Sequence, residues 1–99
     1  MSGTGNSIVG NVSNSNFTDG IEIGLSNGTG ANGNTIEGNI TNSNQNAGIN
    51  VISPATGNHF KGNVAFSNGV LDISESNAAC ATETYKDDVF GTVNLTCVK

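Results

Sequence analysis

Few residues in this sequence are equipped to do chemistry. They are the adjacent pair Asp87 and Asp88, the single histidine His59, and the oxygen-bearing trio Glu22, Asn50 and Asp72. Glycoside hydrolysis needs two carboxyl groups at a set separation, one acid and one base or nucleophile. Neighbours on a strand point to opposite faces, so Asp87 and Asp88 read as cap or turn residues. His59 has no carboxylate placed to orient it and makes a weak general base. It reads as a surface histidine, with Lys61 two residues on along the same face. The trio offers oxygens on one face of the repeat described below. Ca²⁺ takes about six to eight oxygen ligands, and two carboxylates separated by an amide make a poor cage. No catalytic residue, metal ligand set or cofactor is assigned. Glu22, Asn50 and Asp72 stay as candidates for a glycan-facing surface. Tyr85 and Phe17 could stack on sugar rings, but Tyr85 fits better as a core residue and Phe17 as loop packing.

Composition narrows the field further. The chain has 99 residues and a net charge of −5, with no arginine and only Lys61, Lys86 and Lys99 as lysines. Nucleic-acid affinity comes mainly from basic residues that neutralise phosphates, so that role is excluded, and an anionic membrane surface is excluded on the same ground. No apolar run is long enough to cross a bilayer as a helix. The start, Met1 to Gly5, has neither the basic nor the apolar stretch of a signal peptide. Asn is extreme, with 17 copies beside 14 Gly, 10 Ser and 10 Thr. Charged residues are only 11%, and Ile and Val recur at intervals. That pattern fits a chain that turns every few residues rather than a disordered one. The even pair Cys80 and Cys97 in such a chain points to a disulfide and an oxidising, secreted context, with a reduced pair as the alternative. Five Asn-x-Ser/Thr sequons, at Asn11, Asn16, Asn27, Asn39 and Asn94, are what chance gives at this composition.

The elements that must position these residues come from a repeat. Asn6-Ser7-Ile8-Val9-Gly10-Asn11-Val12 returns as Asn34-Thr35-Ile36-Glu37-Gly38-Asn39-Ile40, then as Asn58-His59-Phe60-Lys61-Gly62-Asn63-Val64, and in degenerate form as Tyr85-Lys86-Asp87-Asp88-Val89. The offsets are 28, 24 and 25 residues. Each copy is followed by a second short alternating segment: Ile21-Glu22-Ile23, Ile49-Asn50-Val51 and Leu71-Asp72-Ile73. Gly and Asn every few residues rule against helix. A fixed order of short strands at this period fits a parallel solenoid, in which each strand is stabilised by its equivalent in the next coil.

The alignment predicts four inward columns: Ile8, Ile36, Phe60, Tyr85; Val12, Ile40, Val64, Val89; Ile21, Ile49, Leu71; and Ile23, Val51, Ile73. It also predicts an asparagine ladder of Asn11, Asn39, Asn63 and Asp88, with each amide bonded to the next at a tight bend. His59 and Lys61 then face outward, in columns with Ser7, Thr35, Thr84 and with Glu37, Lys86. Residues 1–7 form a polar tail, 8–73 three regular coils, and 74–99 a degenerate coil and cap.

The motif Gly33-Asn34-Thr35-Ile36-Glu37-Gly38-Asn39-Ile40 resembles the repeat of right-handed parallel β-helix proteins of the pectin lyase-like group. The stretch from Asp72 through Cys80, then Val89-Phe90-Gly91-Thr92 through Cys97, is similar to the closing segment of bacterial members. The resemblance implies an all-β, right-handed parallel β-helix of about three to four coils whose C-terminal end is closed by a Cys80–Cys97 bridge. That group spans lyases, hydrolases, epimerases, adhesins and phage tail proteins, so fold alone assigns no activity.

The expected function is a non-catalytic structural or interaction module of a secreted β-helix protein. Its cross-linked, charged C-terminal end resists stacking, whereas residues 1–7 look too short to cover Ile8, Val12, Ile21 and Ile23. Those four mark an expected self-association end, met by a second copy or by upstream coils. The alternatives are a polysaccharide-binding surface, or the remnant of a polysaccharide lyase or epimerase. The longest turn insert, Ser26 to Gly33, carries no charge, which counts against an enzyme cleft.

Overall fold

The computed structural model describes residues 1–25 and 27–99. Of the longest turn insert, Ser26 lies outside the described residues. The chain is an all-β solenoid of about three turns. Its strands are β1 (Gly3–Thr4), β2 (Ser7–Val9), β3 (Ile21–Ile23), β4 (Ala31–Asn32), β5 (Thr35–Glu37), β6 (Ala47–Val51), β7 (His59–Lys61), β8 (Val64–Ala65), β9 (Leu71–Glu75), β10 (Thr84–Lys86) and β11 (Val89–Phe90). They form sheets in the orders β10-β7-β5-β2, β3-β6-β9, β1-β4 and β11-β8. Each strand pairs in parallel with its counterpart a coil away.

The strands are short because the corners are built into the repeat. Gly10, Gly38 and Gly62 hold φ of 67°, 64° and 63°, and Asp87 takes the same corner at 57°. Ser15, Ser43 and Ser67 make a second left-handed corner at 57°, 58° and 58°. A left-handed conformation costs a residue with a Cβ about 1–2 kcal/mol, which explains glycine at three of the four first corners.

The core is a narrow column of stacked apolar side chains. Ile36 and Phe60 are fully buried, Phe60 lies on Tyr85 with ring centroids 4.5 Å apart, and Ile8 packs at the open side. The second sheet corrects two of the expected columns. Ile49 pairs with Ile73, Ala47 with Leu71, and Val51 with Glu75. The columns are therefore Ile21, Ile49, Ile73 and Ile23, Val51, Glu75. Matching Ile49 to Leu71 would require an offset two residues shorter than the 24 that separates Asn39 from Asn63. A slip of two keeps the same face inward, so alternation cannot detect it.

A third correction concerns the stack Val12, Ile40, Val64, Val89. Its register is as expected, but it faces solvent: Val12 is 66% exposed, Ile40 37% and Val89 50%. The preceding Asn residues turn inward, so by alternation the next residue points out and the one after points in. Thr41 and Ala65 accordingly are fully buried.

The N-terminal end is also more covered than its composition implies. The ammonium group of Met1 donates to the Glu22 carbonyl at 2.7 Å, and the Gly24 N–H donates to the Met1 carbonyl at 2.6 Å. Met1 thus lies along the outer edge of β3 and packs against the core that contains the buried Ile21 and Ile23. Gly3 and Thr4 pair with Ala31 and Asn32, so these residues belong to the stack rather than to a free tail. At the other end Cys80 and Cys97 form a disulfide across 17 residues, Val93 bridges to Ile73, and Val98 is buried.

Candidate functional site

The organised polar chemistry of this protein lies at its corners. The ladder expected at Asn11, Asn39, Asn63 and Asp88 is present. Asn11 donates its backbone N–H to Asn39 Oδ1 at 2.9 Å and its amide Nδ2 at 3.2 Å. Asn39 donates in the same way to Asn63, both at 3.0 Å, and Asn63 to Asp88 Oδ1, both at 2.9 Å. The second Nδ2 hydrogen of Asn39 reaches the Ile8 carbonyl, and that of Asn63 the Ile36 carbonyl.

Two further ladders run parallel to it and were hidden in the same repeat. Asn6 donates its N–H to Asn34, which donates from N and Nδ2 to Asn58, which donates to both oxygens of Glu83 at 2.7 and 2.9 Å. Asn16 donates to Asn44, Asn44 to Asn68, and Asn68 to Asp72 Oδ1. The in-register recurrence of Asn34 with Asn58, and of Asn44 with Asn68, was the available signal. The terminal acids were not legible, because Glu83 is a longer residue and Asp72 lies in a different part of the coil.

All three ladders run one way, donors toward the C-terminal end, and all three end on a carboxylate. A carboxylate accepts without needing to donate, so it closes a column that an Asn would leave with unmatched N–H groups. Burial raises the Glu83 carboxyl above its ordinary value, opposed by the Asn58 donors and reinforced by repulsion from Glu75. Burial likewise raises Asp88, opposed by Asn63. At Asp72 burial acts in the same direction, but donors from Asn68 and Thr92 outweigh it and hold the group below its ordinary value. Glu75 ends an apolar column instead. Its carboxylate accepts from Asn77 N–H and Nδ2 and from the Tyr85 hydroxyl. Desolvation, with this contact next, pushes the Tyr85 hydroxyl far up.

The glycan-facing trio is not brought together. Glu22 and Asn50 stand in register on adjacent strands, but the next position in that column is Ser74. Asp72 is only 3% exposed, held by Asn68 on one oxygen and by Gly91 and Thr92 on the other. Asp87 is exposed at the corner while Asp88 turns inward. The described residues form no pocket and contain no group of three His, Cys, Asp or Glu arranged to hold a metal. Of the expected self-association residues, Ile8 is half-buried, Val12 exposed, and Ile21 and Ile23 buried. Comparisons with family models, curated proteins and solved structures find no match to this chain.

The two ends of the solenoid therefore differ in kind. At the N-terminal end β2 is an outer strand with a partner on one side only. Asn6, Asn11 and Asn16 direct their ladder N–H groups inward, toward Asn34, Asn39 and Asn44. At the C-terminal end the outer strand β10 carries the exposed Lys86, followed at the corner by the exposed Asp87. Charges of this kind guard a strand edge against pairing.

Proposed function

We propose that this chain is a non-catalytic structural module of a secreted β-solenoid protein, and that it associates with a second copy through the N-terminal face of its first coil. One observation carries the reading: the outer strand β2 has a partner on one side only and runs beside the exposed Val9 and Val12, while the opposite end is acid-terminated and cross-linked. Two β2 edges meeting across a twofold axis pair antiparallel, and the backbone supplies both donors and acceptors for this. Such a contact uses the same patch on both copies and closes at two. Ile8 and Val12 take part; Ile21 and Ile23, beneath Met1, do not. The place of the repeat in the pectin lyase-like group belongs to the same proposal and rests on the Gly33 to Ile40 motif. A preceding coil of the same solenoid would fit this face as well, pairing with the free edge of β2.

The test is mass in solution by light scattering behind size exclusion, over a dilution series. The expected species is a dimer of the 10.0 kDa chain with nothing larger, reverting to monomer in Ser7→Pro, which lacks an edge N–H. A monomer at every concentration overturns the reading.

A further inference from the structure

We propose that the outward face of β7 and β10 binds a tetrahedral dianion, a phosphate or sulfate group. In a chain with net charge −5 and three lysines, two of those lysines stand directly opposite each other: Lys61 pairs with Lys86, and His59 with Thr84. Like charges opposite one another across strands destabilise a sheet. Guarding the β10 edge does not require it, since charge of either sign guards an edge.

The four side chains occupy the corners of a rectangle about 4.8 Å by 6.6 Å, set by strand spacing and residue rise. The frame is rigid. Phe60 and Tyr85 stack directly beneath it, and the strands are pinned at both ends where Asn58 meets Glu83 and Asn63 meets Asp88. His59 Nδ1 and Thr84 Oγ1 are 2.6 Å apart. With the threonine hydroxyl donating to Nδ1, the neutral ring carries its N–H at Nε2. Two ammonium groups and one imidazole N–H, carried on one face of adjacent strands, are then available to a single ligand. Three donors match three oxygens of a tetrahedral anion, where a carboxylate has two, and two lysines match its charge. Glu37, opposite Lys61 on its other side, and Asp87 border the patch and confine it to one dianion rather than a polyanion. This inference is independent of the dimer contact, which lies at the far edge of the same sheet.

The experiment follows backbone amide and His59 ring NMR signals during titration with sodium phosphate, sulfate, acetate and chloride at fixed pH and ionic strength. Saturable shifts centred on residues 59–61 and 84–86 are expected with phosphate and sulfate only. Affinity should fall at least tenfold in both Lys86→Gln and Lys86→Glu and hold in Lys99→Gln. Lys86→Glu keeps the edge charged, so it separates anion binding from edge protection. Shifts that do not saturate, that appear equally with chloride or acetate, or that persist in both Lys86 variants overturn the proposal.

Discussion

Asn39 shows how a polar side chain can be a core residue. It is fully buried, and its hydrogen-bonding capacity is met: donors to Asn63 and the Ile8 carbonyl, acceptor from Asn11. Asn39→Ala leaves these partners buried and unmatched and is expected to cost about 1–3 kcal/mol. The same change at Asn11, exposed in the single chain, is expected to stay within about 0.5 kcal/mol in the monomer. Equal losses in denaturant unfolding would mean that the ladder contributes nothing beyond turn formation. The terminal acids make a second prediction. Glu83 and Asp88 are held above their ordinary values, so on acidification they bind protons in the folded chain before the unfolded one does, and stability rises. Asp72 is held below its ordinary value; its contribution is present above that value and is lost as pH falls beneath it. The melting temperature should therefore climb from pH 7 to about 4.5 and drop below about pH 4. A steady decline from pH 7 would contradict the assignment.

At the scale of elements, inward and outward columns look alike in composition and differ in energy. Ile36→Ala is expected to cost about 2–5 kcal/mol, since it opens a cavity beside Phe60. Ile40→Ala, four residues on and facing solvent, should cost under about 1 kcal/mol. Comparable losses would show that the outward stripe is covered in solution. The contrast marks what the sequence made legible. Gly38-Asn39, repeated as Gly10-Asn11 and Gly62-Asn63, identified the corner, the coil period and one ladder. It did not say that the corner reverses which residues face in, because alternation has no sign without knowing where Asn39 points. The register of β9 followed from the 24-residue offset of the corners but not from the apolar pattern, for a related reason. Leu71 and Ile73 are both apolar and on the same face, and what separates them is the burial of Glu75, which no apolar pattern anticipates. Met1 over β3 was invisible too, since its contact is made by backbone groups.

For the molecule as a whole, the Cys80–Cys97 bridge ties the last coil to the stack across 17 residues. Replacing both cysteines with alanine is expected to lower unfolding free energy by about 3 kcal/mol on the chain-entropy account. Hydrogen exchange should quicken first in residues 84–99. Uniform quickening along the chain would show instead that the solenoid unfolds as one unit. The one-way ladders carry a consequence on this scale as well. Each of the three ladders sets its oxygens toward the N-terminal end and its hydrogens toward the C-terminal end, so the three add as aligned dipoles, much as peptide groups add along a helix, whereas Asn14 and Asn42 accept from the next coil and point the other way. The positive pole is where Glu83, Asp88 and Asp72 sit. The acids are thus electrostatically matched to one pole only. In a longer array of these coils, carboxylates at the ladder positions belong to the last coil, and one moved to the middle would oppose the field of every amide beyond it.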